Sequence, residues 1–302
     1  MLDHARSLGI NRAGVIGAGL MGRRIAGVLA SGGLDVVLYD ANDDVLNDAV
    51  DTANLMASKS SGAGVVRSGA DLRDAVANSD FVTEAIVEDL AIKQTLFEEL
   101  STYSTTAILA SNTSVLPITQ VAARATNPER VVGTHWWNPP DLIPIVEVIR
   151  GERTSNETMD RTFSLLENFG KLPVRVEKDV AGFVGNRLQH ALWREAIALV
   201  ADGVCDAETV DLVCRNTIGL RLAQMGPIET ADYVGLDLTR AIHDAVLPSL
   251  STDGAANPIL TTLIDAGSLG AKSGQGFLTW SQGRREQAAS DLAAHVKSQL
   301  TK

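Results

Sequence analysis

The sequence predicts an α/β fold, a doubly wound parallel sheet in a first domain followed by an all-helical C-terminal domain. Short apolar runs alternate with helix-like stretches through the first half of the chain. A glycine-rich turn joins the first such run to the first helix. Beyond it, past the last apolar run, β-like stretches thin out and apolar residues recur at helical spacing. The boundary is placed so that the domains are residues 1–184 and 185–302. A chain of 302 residues is long for one core and suits one larger and one smaller domain.

Taken in order, RAGVIGAGLMGRRIAGVLASGG reads as strand, tight turn and helix. LDVVLYD is a second strand, with Asp40 at its end. The Ser/Gly-rich stretch from Ala57 to Ala70 reads as a surface loop. DFVTEAIV and TAILASNTS are strands separated by the helical LAIKQTLFEELSTY. ERVVGTH and LIPIVEVI are two more, divided by the chain-breaking NPP. PVRVEKDVAGFVGNR holds a last strand and the connection onward. NRLQHALWREAIALVADGV, AETVDLVCRNTIGL and ETADYVGLDLTRAIHDAVLPSL keep a helical period, the first with a glycine near its end.

The first turn carries Gly17, Gly19 and Gly22 in a GxGxxG pattern, with Ala18, Leu20 and Met21 between them. The first glycine permits the tight turn, the second lets a pyrophosphate approach the backbone, and the third lets helix and strand pack closely. The helix N-terminus adds free N–H groups and partial positive charge. The pattern follows a strand, opens a helix and is followed by an acid at the end of the next strand, which makes it a Rossmann-type dinucleotide-binding turn. Asp40 is suited to accept both hydroxyls of an adenosine ribose. It repels a 2′-phosphate, so the expected cofactor is NAD rather than NADP.

The net charge of −11 and the absence of a basic stripe argue against nucleic acid as a partner. No apolar run approaches the roughly 18 residues of a membrane span. The N-terminal stretch MLDHARSLGINR has no apolar signal core, and Cys205 and Cys214 make neither a disulfide framework nor a metal site. A cytoplasmic setting is expected, with a small molecule as substrate.

GTHWWNPPDLIPIVEV gathers one of the five histidines and two of the four tryptophans, with Glu147 alone inside an apolar run. If the two flanking strands are antiparallel neighbours, a spacing of twelve brings His135 and Glu147 side by side. A buried carboxylate needs a partner, and an imidazole N–H is one. The pairing fixes the tautomer and raises the basicity of the far nitrogen, which makes a general base. A core histidine satisfied by a structural acid is the other reading. His4, His190, His243 and His295 show no partner pattern and are assigned no role.

VIGAGLMG, EAIVEDLAIKQTLFEEL, SNTSVLPIT, ERVVGTHWWNPP, PIVEVI, GFVGNRL, GPIETADYVGLD and KSGQGF, in this order, resemble the 3-hydroxyacyl-CoA dehydrogenase family over nearly the whole chain. The resemblance implies oxidation of an L-3-hydroxyl group with NAD, and a homodimer formed through the C-terminal domain. It implies that His135 takes the hydroxyl proton, that Glu147 orients it, and that Ser114 and Asn186 hold the substrate oxygen. Glu88, Lys93, Asn112 and Lys272 match the family's cofactor contacts. Ser114 and Asn112 also suit turn caps, Asn186 a helix cap, and the two lysines solvated charges.

Two departures bear on the substrate. CoA-using members resembled by this chain carry a long lysine-rich excursion after the second strand. Here the stretch from Ala41 to Asp80 is shorter, with Lys59, Arg67 and Arg73 against seven aspartates. That charge suits CoA phosphates poorly. Trp136, Trp137 and Asn138 stand where CoA enzymes typically place phenylalanines, and Asn-Pro-Pro resembles the branch acting on free acids such as L-gulonate, carnitine and pyridine carboxylates. In GLRLAQMGP, which resembles that branch too, Arg221 is the guanidinium for a substrate carboxylate or else a helix-end or interface salt bridge. The tryptophans are either a flat pocket wall or core filler. A free 3-hydroxy acid is favoured as substrate. A CoA thioester enzyme and a non-catalytic NAD-binding protein are the alternatives.

Overall fold

The computed structural model describes residues 9–300; His4 lies outside them. The chain forms two compact units, Met1–Arg187 and Leu188–Lys302.

The strands of the first unit are β1 (Arg12–Ile16), β2 (Asp35–Tyr39), β3 (Val66–Ser68), β4 (Phe81–Glu84), β5 (Ile108–Ser111), β6 (Val131–Trp136), β7 (Ile145–Ile149) and β8 (Leu172–Val176). They form one eight-stranded sheet in the order β3-β2-β1-β4-β5-β6-β7-β8. Neighbours are parallel except β6 and β7, which run antiparallel. Helices α1 (Leu20–Ser31), α2 (Asp43–Ala57), α3 (Leu72–Val76), α4 (Leu90–Tyr103), α5 (Ile118–Val121) and α6 (Asn156–Asn168) connect them.

The central strands β4, β5 and β6 are buried along their whole length, which is why they read as apolar runs. Ile25 and Leu29 of α1, Leu46 of α2 and Leu165 of α6 pack in one cluster with Val15 and Val36. Val76 of α3, Phe97 and Leu100 of α4 and Ile118 of α5 pack in another with Val82 and Leu109. Side chains start several helices: Asn42 accepts from the N–H of Asp44, Asp89 from that of Ile92, and Ser155 from that of Thr158. Helix α1 has no such side-chain cap, its N-cap residue being Gly19.

The expected loop from Ala57 to Ala70 is corrected. It contains β3, a three-residue edge strand whose Val66 pairs in register with Val36. The Asn54 amide holds both backbone groups of Val66, accepting from its N–H at 2.9 Å and donating to its carbonyl at 2.8 Å. Three residues are too few to show a strand period, and this clamp comes from the preceding helix.

Helix α7 (Gly185–Ala201) crosses from the first unit into the second. The second unit continues with α8 (Ala207–Asn216), α9 (Ile218–Leu222), α10 (Pro227–Val234), α11 (Leu236–Val246), α12 (Pro258–Asp265) and α13 (Gln282–Leu300). The helical expectation holds, with one exception: isolated bridges join Gly270 to Gln275 and Gln275 to Thr279, so KSGQGF is a tight bridged turn. Among the described residues of this unit, Ala198 alone is buried. Among the described residues, no helix is long and apolar enough to cross a membrane, and no cluster of three or more His, Cys, Asp or Glu could hold a metal ion.

Candidate active site

The glycine turn has the geometry its three glycines imply. Gly17 adopts φ +101°, and its N–H donates to the Tyr39 carbonyl at 2.7 Å. A Cβ on Gly22 would sit 1.7 Å from the Gly17 carbonyl oxygen, so helix and turn close only on glycine. A Cβ on Gly19 would meet nothing within 4 Å, so that side of the turn is open. Ala18 is buried, Met21 packs against the core, and Leu20 is exposed. Asp40 is tied to the turn: its Oδ2 accepts from the Ala18 N–H at 2.7 Å and its Oδ1 from that of Asn42 at 2.9 Å. A cleft of about 740 Å³ opens here, bounded by Gly17, Gly19 and Asp40 and walled by Leu72, Ile92 and Leu96. Uncapped N–H groups for phosphates, a carboxylate for ribose and an apolar slot for a base fit an adenine dinucleotide.

The antiparallel register of β6 and β7 sets His135 directly opposite Glu147. His135 Nδ1 lies 2.7 Å from Glu147 Oε2, with the two residues 4% and 3% exposed. The other carboxylate oxygen accepts from the N–H groups of Val184 at 2.9 Å and Gly185 at 3.1 Å. Burial pushes the Glu147 carboxyl up, but the hydrogen bond with His135 and the Gly185 and Val184 amides outweigh it and hold it below the ordinary value. An ionised carboxylate accepts the Nδ1 proton, leaving Nε2 with the lone pair. The Trp137 and Phe183 rings lie 5.1 and 5.8 Å from the imidazole.

Ser114 sits on the turn after β5, and Glu88 holds that turn. Glu88 Oε1 accepts from the Thr113 hydroxyl at 2.5 Å and from the N–H groups of Ser114 and Val115 at 2.7 and 3.0 Å. Burial opposes its ionisation, but the Thr113 hydrogen bond, the Lys93 charge and the two amides hold it below the ordinary carboxylate value. Asn186 Nδ2 donates to the Ser114 carbonyl at 2.9 Å, and Asn112 Oδ1 accepts from the Trp136 N–H at 3.0 Å.

Lys93 is 1% exposed, and its ammonium lies 2.7 Å from both oxygens of Glu84 and 3.4 Å from Glu88. It is therefore not a solvated charge. The sequence reading missed Glu84, whose signal was a lone acid in the apolar run FVTEAIV.

Trp136 is corrected from pocket wall to core. It is 2% exposed and clusters with residues of α1 and α6. Buried Lys171 lies 5.6 Å from its ring and donates to the Ile143 carbonyl at 3.0 Å. Trp137 shares the face of His135 because alternate residues of an extended chain point the same way. It is half-buried, and its ring fills the space a Cβ on Gly185 would need. Asn138 is exposed beside it. In the second unit, Arg221 is exposed on α9, its Nε donating to the Thr217 carbonyl at 3.3 Å, and among the described residues it forms no ion pair. Lys272 is exposed on the bridged turn.

Comparison with known proteins places the chain in a family. Residues 12–180 match the model of the 3-hydroxyacyl-CoA dehydrogenase NAD-binding domain, and residues 182–280 match that of the family's C-terminal domain. The chain belongs to the 3-hydroxyacyl-CoA dehydrogenase family and is an NAD-dependent dehydrogenase acting on a hydroxyl group. It is 37% identical over 281 residues to a 5-formyl-3-hydroxy-2-methylpyridine 4-carboxylate 5-dehydrogenase of Mesorhizobium japonicum, covering 90% of this chain and 91% of that one. It is 38% identical over 277 residues to a probable 3-hydroxybutyryl-CoA dehydrogenase of Deinococcus radiodurans, covering 87% and 98%. Among solved structures, a 5-formyl-3-hydroxy-2-methylpyridine 4-carboxylic acid 5-dehydrogenase, described as an NAD+-dependent dismutase, superposes with a TM-score of 0.89 at 35% identity over 95% of this chain and 96% of that one. The (S)-3-hydroxybutyryl-CoA dehydrogenase of Ralstonia eutropha gives 0.73 at 29% identity over 90% and 100%.

Proposed function

We propose that this dehydrogenase oxidises a free hydroxy acid, rather than a CoA thioester, with His135 as general base. The observation that carries the chemistry is the buried His135–Glu147 pair. His135 Nε2 accepts the hydroxyl proton, and Glu147 keeps the imidazole in that tautomer and steadies the imidazolium that forms. The Ser114 hydroxyl and the second amide hydrogen of Asn186 hold the oxygen as charge develops on it. NAD, when bound, supplies the hydride acceptor. Gly17, Gly19 and the start of α1 bind its phosphates, and Asp40 its ribose.

The free-acid preference is supported by the fold likeness to the pyridine-carboxylate dehydrogenase and by the acidic stretch after β2, a poor partner for CoA phosphates. Arg221 supplies the guanidinium a carboxylate pairs with. NADH formation from two panels tests the reading, one of L-3-hydroxyacyl-CoA thioesters and one of free 3-hydroxy, hydroxymethyl and formyl carboxylic acids. Turnover of the free acids alone is expected, with Arg221→Ala raising KM. Turnover of thioesters alone would replace this reading with the thioester one.

The same proposal includes a cytoplasmic homodimer joined through the second unit. Leu188, Leu192, Trp193, Leu212 and Val213 are exposed in a unit with almost no interior of its own. A helical unit of this size needs buried apolar surface that a second copy can provide. Light scattering is expected to give twice the chain mass; a monomer at micromolar concentration would overturn this part.

A further inference from the structure

We propose that the buried Glu84–Lys93 pair and the adjoining Glu88 form a charge cluster that sets the preference of this protein for the oxidised over the reduced form of its cofactor. The inference rests on NAD use and on the nicotinamide ring lying beside the Ser114 turn, not on the identity of the acid oxidised. Glu84 ends β4 and pairs in register with Ser111, which ends β5. Ser111 donates its hydroxyl to one Glu84 oxygen, and the Ile86 N–H donates to the other at 3.0 Å. The Lys93 ammonium bridges Glu84 and the exposed Glu88, whose Oε1 carries the 113–115 turn. Two carboxylates thus face one ammonium, and the cluster has a formal charge of −1.

Glu84 alone suffices to neutralise the buried Lys93, so the exposed Glu88 leaves the cluster a surplus negative charge. The cluster lies at the strand ends that also carry the Gly17 turn and His135, where a reacting ring has to sit. An oxidised nicotinamide ring is a cation and a reduced one is neutral, while the phosphates, riboses and adenine are the same in both. A net negative charge beside the ring therefore lowers the free energy of the oxidised complex selectively.

The test is equilibrium binding of NAD+ and NADH to the substrate-free protein, by calorimetry and by NADH fluorescence. In Glu84→Gln and Glu88→Gln, the ratio Kd(NADH)/Kd(NAD+) is expected to fall about three- to tenfold, the scale of one unit charge acting at such range. Glu88→Asp keeps the charge and is expected to keep the ratio. A lost ribose contact or a loosened turn would weaken both forms together and leave the ratio unmoved, so the ratio separates charge from scaffolding. Should Glu84→Gln fail to fold, Glu88→Gln alone carries the test, because Glu88 is partly exposed. An unchanged ratio in folded Glu88→Gln, with both affinities measurable, would overturn the cluster's role and leave the proposed reaction standing. A wild type that binds neither form would overturn the role together with the cofactor assignment.

Discussion

Asn186 donates its side-chain amide to the backbone carbonyl of Ser114 across 72 positions of sequence. The two groups proposed to hold the substrate oxygen are thus held to each other, and Ser114 is held from its N–H side by Glu88. Asn186→Ala removes one donor and one brace. Its kcat is expected to fall roughly a hundredfold, with KM little changed. A loss confined to KM in steady-state kinetics would move Asn186 out of the oxygen-binding role.

His135→Ala is expected to reduce kcat about a hundred- to ten-thousandfold while the protein still binds NAD+. Glu147→Gln keeps the size of the side chain but no longer demands a proton on Nδ1. Its kcat should fall as well, and the alkaline plateau of the pH–rate profile should change shape. Near-normal turnover of His135→Ala would remove the base from the proposal.

Glu88 and Glu147 make stability depend on pH in a fixed direction. Both are held below their ordinary value of 4.5, so their contribution is complete above that value and disappears as the pH falls through the lower folded values. Asp74 behaves likewise at lower pH, held at about 2 by Arg67 and the Ala70 N–H, although it is too exposed to matter much. Melting temperatures taken from neutral pH down to about pH 3 should fall, and the fall should be shallower in Glu147→Gln. An identical slope in wild type and variant would contradict the linkage.

The adjacent tryptophans should separate cleanly. Trp136→Ala removes a core ring and is expected to cost about 3–5 kcal/mol of stability. Trp137→Ala, on the His135 face, should leave most of the stability and raise KM. Chemical denaturation beside steady-state kinetics distinguishes them; the opposite pattern would reverse the assignment.

The glycines of the first turn should separate too. Gly19→Ala places a methyl where the protein has open space, so Tm should hold while NAD+ binding weakens roughly tenfold or more, the scale of a lost hydrogen bond to a charged group. Gly22→Ala drives a Cβ into the Gly17 carbonyl and should lower Tm as well.

Features governed by a fixed period were legible in the sequence. A spacing of twelve around NPP, given antiparallel neighbouring strands, set His135 against Glu147, and GxGxxG announced both the tight turn at Gly17 and the close packing at Gly22. The choice between the tryptophans lay within reach, since strand alternation allows only one of two consecutive residues to share the face of His135. Lys93 was not legible, because a charge on an amphipathic helix reads as solvated and its burial depends on acids brought by β4 and by the turn that follows it. Nor was Phe183, a non-glycine residue at φ +50° that places its ring against the imidazole.

The clamp of Asn54 on Val66 bears on how the protein behaves in a crowded solution. β3 is the outermost strand on its side of the sheet, and an open strand edge is a template on which another chain can align and polymerise. An amide that already occupies both backbone groups of Val66 denies that template its first rung. On the opposite margin, β8 carries Pro173, which has no N–H to offer, and Arg175, a charge that a stacking strand would have to desolvate. The sheet is finished at both margins, so its eight strands stay a closed set rather than the first layer of a fibril.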